Sequence, residues 1–246
     1  MHEFDWDQEA LSKLLLESPT PRIYMANTGN FGDAVIRQGT LRFFREIGLA
    51  YKETRRPPTH EIGTFIYGGG GAWCKNWNNG YRVQAALENA KSVVVLPSTY
   101  AIQSPLYDIK NIHFFCRDNR ESLTYCPRAT YHQDMAFHLS GSLVPIHGSG
   151  VGFFMRTDKE SFDRQIPVFN KDISLWGETF DDTTRFIDAI NTVRKVHTDR
   201  LHVAIIACML LKKVFLYEGN YFKNKAVYLS SMEGRFDVTF REHDCR

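Results

Sequence analysis

Lys195-Val196-His197-Thr198-Asp199-Arg200-Leu201-His202-Val203-Ala204-Ile205-Ile206-Ala207-Cys208-Met209-Leu210-Leu211-Lys212-Lys213-Val214-Phe215-Leu216-Tyr217 reads as strand, helix, strand. Lys195-Val196-His197 is a short strand, and the segment from about 199 to 212 is a helix. Val214-Phe215-Leu216-Tyr217 is the next strand. From 203 to 211 the helix is apolar nearly all round, which marks a buried crossover rather than a surface helix. Two strands joined through such a helix run parallel, with right-handed connectivity.

Working outward, the same alternation fills the first half of the chain. Four apolar runs lack strict alternation: Arg22-Ile23-Tyr24-Met25-Ala26, Thr64-Phe65-Ile66-Tyr67, Ser92-Val93-Val94-Val95-Leu96 and Ile112-His113-Phe114-Phe115-Cys116. Such runs suit strands buried on both faces. Helical segments are expected at about 33–47, 79–90 and 118–124. From 139 to 150 Ser, Gly, Pro and His dominate, and a second set of strands and helices follows. It opens with Val151-Gly152-Phe153-Phe154-Met155 and includes a strand at Ile166-Pro167-Val168-Phe169 and a helix near 181–194. The expectation is an α/β protein of two Rossmann-like domains, 1–142 and 143–246, the second of them short.

Bulk properties limit the function classes. The 246 residues carry 43% apolar and 24% charged side chains, a globular composition. Thirty Lys and Arg against 28 Asp and Glu leave +2, which excludes the broad positive field of a nucleic-acid binder but not a small anionic ligand. The longest apolar stretch, 203–211, is too short to span a membrane, so no transmembrane segment is expected. Met1-His2-Glu3-Phe4-Asp5-Trp6-Asp7 is acidic where a signal peptide needs a basic start. Five cysteines without a C-x-x-C spacing read as reduced, buried thiols. His132, His138, His147 and Cys126 have no metal-ligand spacing, so no metal is expected.

Ligands of open parallel sheets lie beyond the carboxyl ends of the strands, and the unusual residues collect there. The first loop is Gly29-Asn30-Phe31-Gly32-Asp33, the second Gly68-Gly69-Gly70-Gly71-Ala72-Trp73. Asn30, Asp33, Gly69 and Gly70 are candidate substrate contacts, although turn geometry or close approach of a neighbouring loop also explains the glycines. Neither loop is a P-loop or a G-x-G-x-x-G fingerprint. Arg117-Asp118, after the fourth run, is either a ligand contact or an exposed pair capping a helix toward Ser122. Thr198 or Asp199 is the expected N-cap of the buried helix. Arg200 and His202 oppose the helix dipole there, and a bound anion would reconcile them; the competing reading is a structural ion pair.

Taken together these pieces resemble the polysaccharide pyruvyl transferase family. The resemblance is carried by Gly29-Asn30-Phe31-Gly32-Asp33 with Ile36 and Gly39, the glycine run ending at Trp73, and Arg117-Asp118 with Ser122. Asp134-Met135-Ala136-Phe137, Thr198-Asp199-Arg200-Leu201-His202 and Asn220-Tyr221 with Lys223-Asn224 complete it. It implies a GT-B-like pair of domains facing across a cleft. It also implies transfer of the pyruvyl unit of phosphoenolpyruvate onto hydroxyls of a sugar, oligosaccharide or lipid-linked glycan, with release of phosphate. No cofactor is implied beyond the donor itself. Arg200, Leu201 and His202 then correspond to the donor-site segment and Arg117 to a further donor-binding arginine. His202 is the candidate acid and Asp199 or Asp33 the candidate base. The implied setting is cytoplasmic, or peripheral to the membrane where glycans are assembled. The alternatives are a GT-B glycosyltransferase using a nucleotide sugar and a non-catalytic glycan-binding relative.

Overall fold

The computed structural model describes residues 8–161 and 165–242; the acidic stretch 1–7 lies outside them. The chain divides into two compact units, one made of the residues up to Asn27 together with Ile36–His138, the other of Thr28–Val35 and the residues from Leu139 onward. Segment 28–35, which the sequence assigns to the first domain, therefore belongs with the second.

The first unit is built on a mostly parallel sheet. Its strands are β1 (Arg22–Met25), β2 (Lys52–Thr54), β3 (Ile62–Tyr67), β4 (Gly70–Cys74), β5 (Trp77–Asn78), β6 (Ala90–Tyr100), β7 (Ile112–Cys116) and β8 (Thr130–Tyr131). Strand order is β2-β1-β3-β6-β4-β5, with β7 joining β6 to β8, and only the β4–β5 hairpin is antiparallel. The eleven residues of β6 pair with β3, β4 and β7, so this strand forms the centre of the sheet. Every residue of β3 is buried, as an apolar run without alternation requires. The helices are α1 (Glu9–Glu17), the part of α2 (Phe31–Glu46) from Ile36 onward, α3 (Gly80–Leu87) and the single turn α4 (Ser122–Tyr125). One core cluster joins Phe65, Tyr67, Val93 and Val95 of the strands to Val83 and Ala86 of α3.

The helix expected over 118–124 is reduced to that turn. Asp118 Oδ1 accepts the amides of Arg120 and Ser122 at 3.3 and 3.0 Å, an Asx-type arrangement that holds the preceding backbone out of a helix.

The second unit carries a four-stranded, wholly parallel sheet in the order β12-β11-β10-β9. Its strands are β9 (Val151–Phe153), β10 (Lys195–Thr198), β11 (Lys213–Tyr217) and β12 (Val238–Arg241), with helices α5 (Thr184–Asn191), α6 (Leu201–Met209) and α7 (Lys223–Val227). The stretch that opened the sequence reading is thus β10, α6 and β11, in parallel register from Lys195 opposite Lys213 to Thr198 opposite Leu216. The strand expected at 166–169 is absent: Pro167 has no amide to donate, and Val168 and Phe169 are exposed. Nearby, Asn170 replaces a strand contact, its side chain accepting from the Met155 amide at 2.7 Å and donating to the Met155 carbonyl at 3.0 Å.

Candidate functional site

The second unit brings together two segments far apart in sequence. At the carboxyl end of β10, the Thr198 hydroxyl donates to the Phe154 carbonyl at 2.7 Å and accepts the Arg200 amide at 2.9 Å. Asn224 donates to the carbonyls of Asp199 and Tyr217 at 2.8 and 3.0 Å, tying the ends of β10 and β11 together. α6 starts at Leu201 with Arg200 as its N-cap and no side-chain cap, so neither Thr198 nor Asp199 fills that position. Instead, Thr198 shapes the turn before it. Asp199 is buried, with Oδ1 accepting the Arg156 amide at 2.7 Å. Every residue of α6 is buried except His202, which is half-buried.

Against that histidine lies the glycine-containing first loop. Asn30 Oδ1 accepts the Gly32 amide at 2.6 Å and Asp33 Oδ2 accepts the Asn30 amide at 3.1 Å. This is a capping box at the start of α2, in which both candidate substrate contacts satisfy helix N–H groups. Thr179 pins the loop, its hydroxyl accepting the Gly29 amide at 2.8 Å and its own amide donating to the Gly29 carbonyl at 3.1 Å. Phe31 packs on Phe186 with centroids 5.7 Å apart. A Cβ added at Gly32 would stand 2.9 Å from His202 Nδ1, closer than van der Waals contact permits. Gly32 is therefore glycine because the imidazole occupies its side-chain space.

The arginines are placed differently from the sequence expectation. Arg200 Nε donates to Asp172 Oδ1 at 2.9 Å, Nη2 lies 2.5 Å from Asp172 Oδ2, and Nη1 pairs with Asp158 at 2.9 Å. The anions that reconcile this cation with the start of a helix are carboxylates of the chain itself. Arg156 bridges Asp158 and Glu160 at 2.9 and 2.6 Å, and Lys223 reaches Glu160 at 3.2 Å. Burial would raise the Asp158 carboxyl, but the hydrogen bond from Arg156 and the charges of Arg156 and Arg200 outweigh it and bring the pKa down to about 2. Glu160 is lowered in the same way, burial being overridden by Lys223 and Arg156.

In the first unit Arg117 is wholly buried. Its Nη1 pairs with Asp134 at 2.7 Å and its Nε donates to the Thr99 hydroxyl at 2.8 Å. The expected pairing with Asp118 is absent, because Asp118 serves the Ser122 turn. Gly69 approaches the chain itself: its added Cβ would meet the Pro97 carbonyl oxygen at 2.2 Å, and Gly70 has φ of 129°. Close strand approach and a backbone that L residues rarely adopt account for both glycines.

Sequence reasoning missed Asp158, Asp172, Arg156 and Thr179. Each lies in irregular chain where no spacing marks it, and its role appears only through contacts distant in sequence. Among the described residues no cluster of three or more His, Cys, Asp or Glu could hold a metal ion, and no helix is long and apolar enough to cross a membrane. Burial pushes the thiols of Cys116 and Cys126 up to about 12, so neither is a nucleophile at neutral pH.

No protein-family model matches the chain, and no curated protein does. Among solved structures it is similar to the crystal structure of a functionally uncharacterized protein from Klebsiella pneumoniae subsp. pneumoniae NTUH-K2044. The two are 32% identical with a TM-score of 0.79, over 94% of this chain and 95% of that one.

Proposed function

We propose that this chain, which belongs to the family of that Klebsiella protein, is a GT-B-like pyruvyl transferase, a reading that rests on its own site residues. It moves the pyruvyl group of phosphoenolpyruvate onto two hydroxyls of a sugar and releases phosphate. The observation that carries the reading is His202: it is the one incompletely buried position of α6, and it is held against the backbone of the first loop at the start of α2. Two helix N-termini of one unit thus flank a titratable imidazole, a setting suited to an anionic donor.

In the reaction, a sugar hydroxyl oxygen bonds to the enol carbon of the donor while its methylene carbon gains a proton. A second hydroxyl then replaces the phosphate, whose carbon–oxygen bond breaks and which leaves with that hydroxyl's proton, and the ketal closes. His202 supplies the proton to the methylene carbon. Asp199 is buried against the Arg156 amide. The reading therefore assigns the hydroxyl proton to Asp33, half-buried in the first turn of α2. The Leu201 side chain is buried, so it is the backbone amides at Leu201 and His202 that face the donor, and Arg200 shares its fork between donor, Asp172 and Asp158.

The ion pairing of both arginines favours a second reading, a non-catalytic relative in which they are purely structural. One experiment separates the two. Incubation with phosphoenolpyruvate and a panel of galactosides, glucosides and N-acetylhexosaminides, free or lipid-linked, is followed by phosphate release and product mass. Ketal formation that His202→Ala abolishes without loss of fold supports the enzyme; no product and no donor-induced thermal stabilisation removes it.

A further inference from the structure

The opposite edge of the second sheet carries cations that, among the described residues, make no ion pair with a carboxylate. β10 and β11 begin there, at Lys195 and Lys213, and a pocket of about 640 Å³ opens beside them. Arg194, Lys195, Lys212, Lys213 and His147 line it against a single acid, Asp237. Helix C-termini attract cations, so the ends of α5 and α6 explain part of this charge. They account for Lys212, whose Nζ donates to the carbonyls of Ile146 and Asn191 at 2.6 and 2.7 Å and is buried. They do not account for the rest. Among the described residues Arg194 and Lys195 make no side-chain hydrogen bond or ion pair, Lys213 only overlies the Phe215 ring at 5.9 Å, and Asp237 pairs with none of them.

Apolar side chains surround these charges. Leu211 follows α6 at the position where a helix usually ends in glycine, with φ of 58°. The amides of Leu211 and Lys212 return to the carbonyls of Cys208 and Ala207 at 3.0 and 2.9 Å, so the turn itself is well made. A leucine here takes a left-handed backbone and leaves its side chain 72% exposed. Ile146, which lines the same pocket, is 53% exposed, and Val144, two positions before it in the chain, is 77% exposed. Neither the strain nor the exposure serves the packing of the unit.

We propose that this edge of the second unit is a membrane-docking surface that takes the phosphate of anionic phospholipid headgroups. Arg194, Lys195 and Lys213 meet the phosphates, while Leu211, Ile146 and Val144 enter the headgroup–acyl boundary. Exposed apolar tips beside unneutralised cations distinguish a lipid surface from a soluble phosphate, which would use the charges and leave the tips in water. The surface is separate from His202 and does not depend on the transferase reading.

The test is flotation of the full chain with vesicles of phosphatidylcholine alone or mixed with phosphatidylglycerol, and calorimetry with pyrophosphate as the soluble probe. The chain should float with the mixed vesicles only, and less as salt is raised. The double variant Lys195→Ala, Lys213→Ala should lower partition about 30-fold, at roughly fivefold per cation. A charge-matched control on the first unit, Lys75→Ala with Lys91→Ala, should change it little. Leu211→Gly should weaken partition severalfold while the chain stays folded, because glycine accepts that backbone freely. Absence of flotation, equal losses in the control pair, or binding of pyrophosphate without flotation would each overturn the proposal.

Discussion

Replacing Gly32 with alanine adds one methyl group to the contact between the first loop and His202. The glycine is the second residue of α2 and has ordinary helical backbone, so alanine adds no conformational strain. Alanine is favoured over glycine inside a helix by about 1 kcal/mol. Against this, the new Cβ stands 2.9 Å from both His202 Nδ1 and Asn30 Oδ1, and such overpacking costs about 1 to 3 kcal/mol. The net loss of stability is therefore about 0 to 2 kcal/mol, a shift of a few degrees in melting temperature. Activity should suffer far more. The imidazole must retreat by several tenths of an ångström, and misplacement of a reacting group by 1 Å costs about 100-fold. Phosphate release from phosphoenolpyruvate should fall between 10- and 100-fold, mostly in kcat, with the His202 ring resonances displaced in the NMR spectrum. Activity within twofold of the parent and unmoved His202 resonances would refute the claim that this contact sets the imidazole.

Asp172→Asn should act with opposite signs on two measurements. It removes the bidentate partner of a guanidinium that is itself only 6% exposed, so urea denaturation should show a loss of about 3 kcal/mol; at the same time Arg200 becomes available and phosphoenolpyruvate affinity should rise, whereas a purely structural Arg200 predicts no gain. The Asp158 carboxyl, at about 2 against an ordinary 3.8, adds stability that is complete above pH 4 and disappears as pH falls through 2. With its side chain 21% exposed, screening reduces this to about 1 to 2 kcal/mol, and Asp158→Asn should flatten the acid limb of the stability profile over that window. Gly39→Ala in the first unit would drive its Cβ to 1.9 Å from the Met135 carbonyl oxygen, a backbone atom unable to swing away, and thermal unfolding should report a loss of about 2 kcal/mol or more.

The sheets were readable because their strands are short apolar runs buried on both faces; β3 and β7 are such runs, and β10-α6-β11 is the unit from which the sequence reading began. The false strand at 166–169 is a similar apolar run interrupted by Pro167; no neighbouring strand pairs with it, and Asn170 makes the Met155 contact instead. The first loop was recognised as unusual but assigned to the wrong unit, since its hydrogen bonds to Thr179 cross 150 positions of sequence. Periodicity reports local structure and is blind to contacts of that range. For the same reason Asn30 and Asp33 looked like ligand contacts: the spacing that defines a capping box also places an amide and a carboxylate beside a glycine turn.

Charge at the start of a buried helix was the strongest sequence signal for a ligand, and it led to arginines already neutralised. The physical reason is general. A guanidinium buried without a counter-charge costs several kcal/mol, so a chain that must fold before it meets a ligand supplies its own carboxylates, as Asp134 does for Arg117 and Asp172 for Arg200. A buried arginine can still bind a donor, but only by exchange, with the released carboxylate opposing the gain. Cations that lack such partners are the ones whose charge is fully available to an outside anion, and among the described residues Arg194, Lys195 and Lys213, gathered at the far edge of the second unit's sheet, are of this kind. In sequence, Arg194-Lys195 and Lys212-Lys213 lie 18 positions apart, each pair at the start of a strand. Only the parallel register that sets Lys195 opposite Lys213 gathers them onto one surface. The two edges of this sheet thus pose different electrostatic problems: an anion on Arg200 must compete with Asp172 and Asp158, while at Lys195 and Lys213 the single acid of the lining, Asp237, pairs with neither among the described residues.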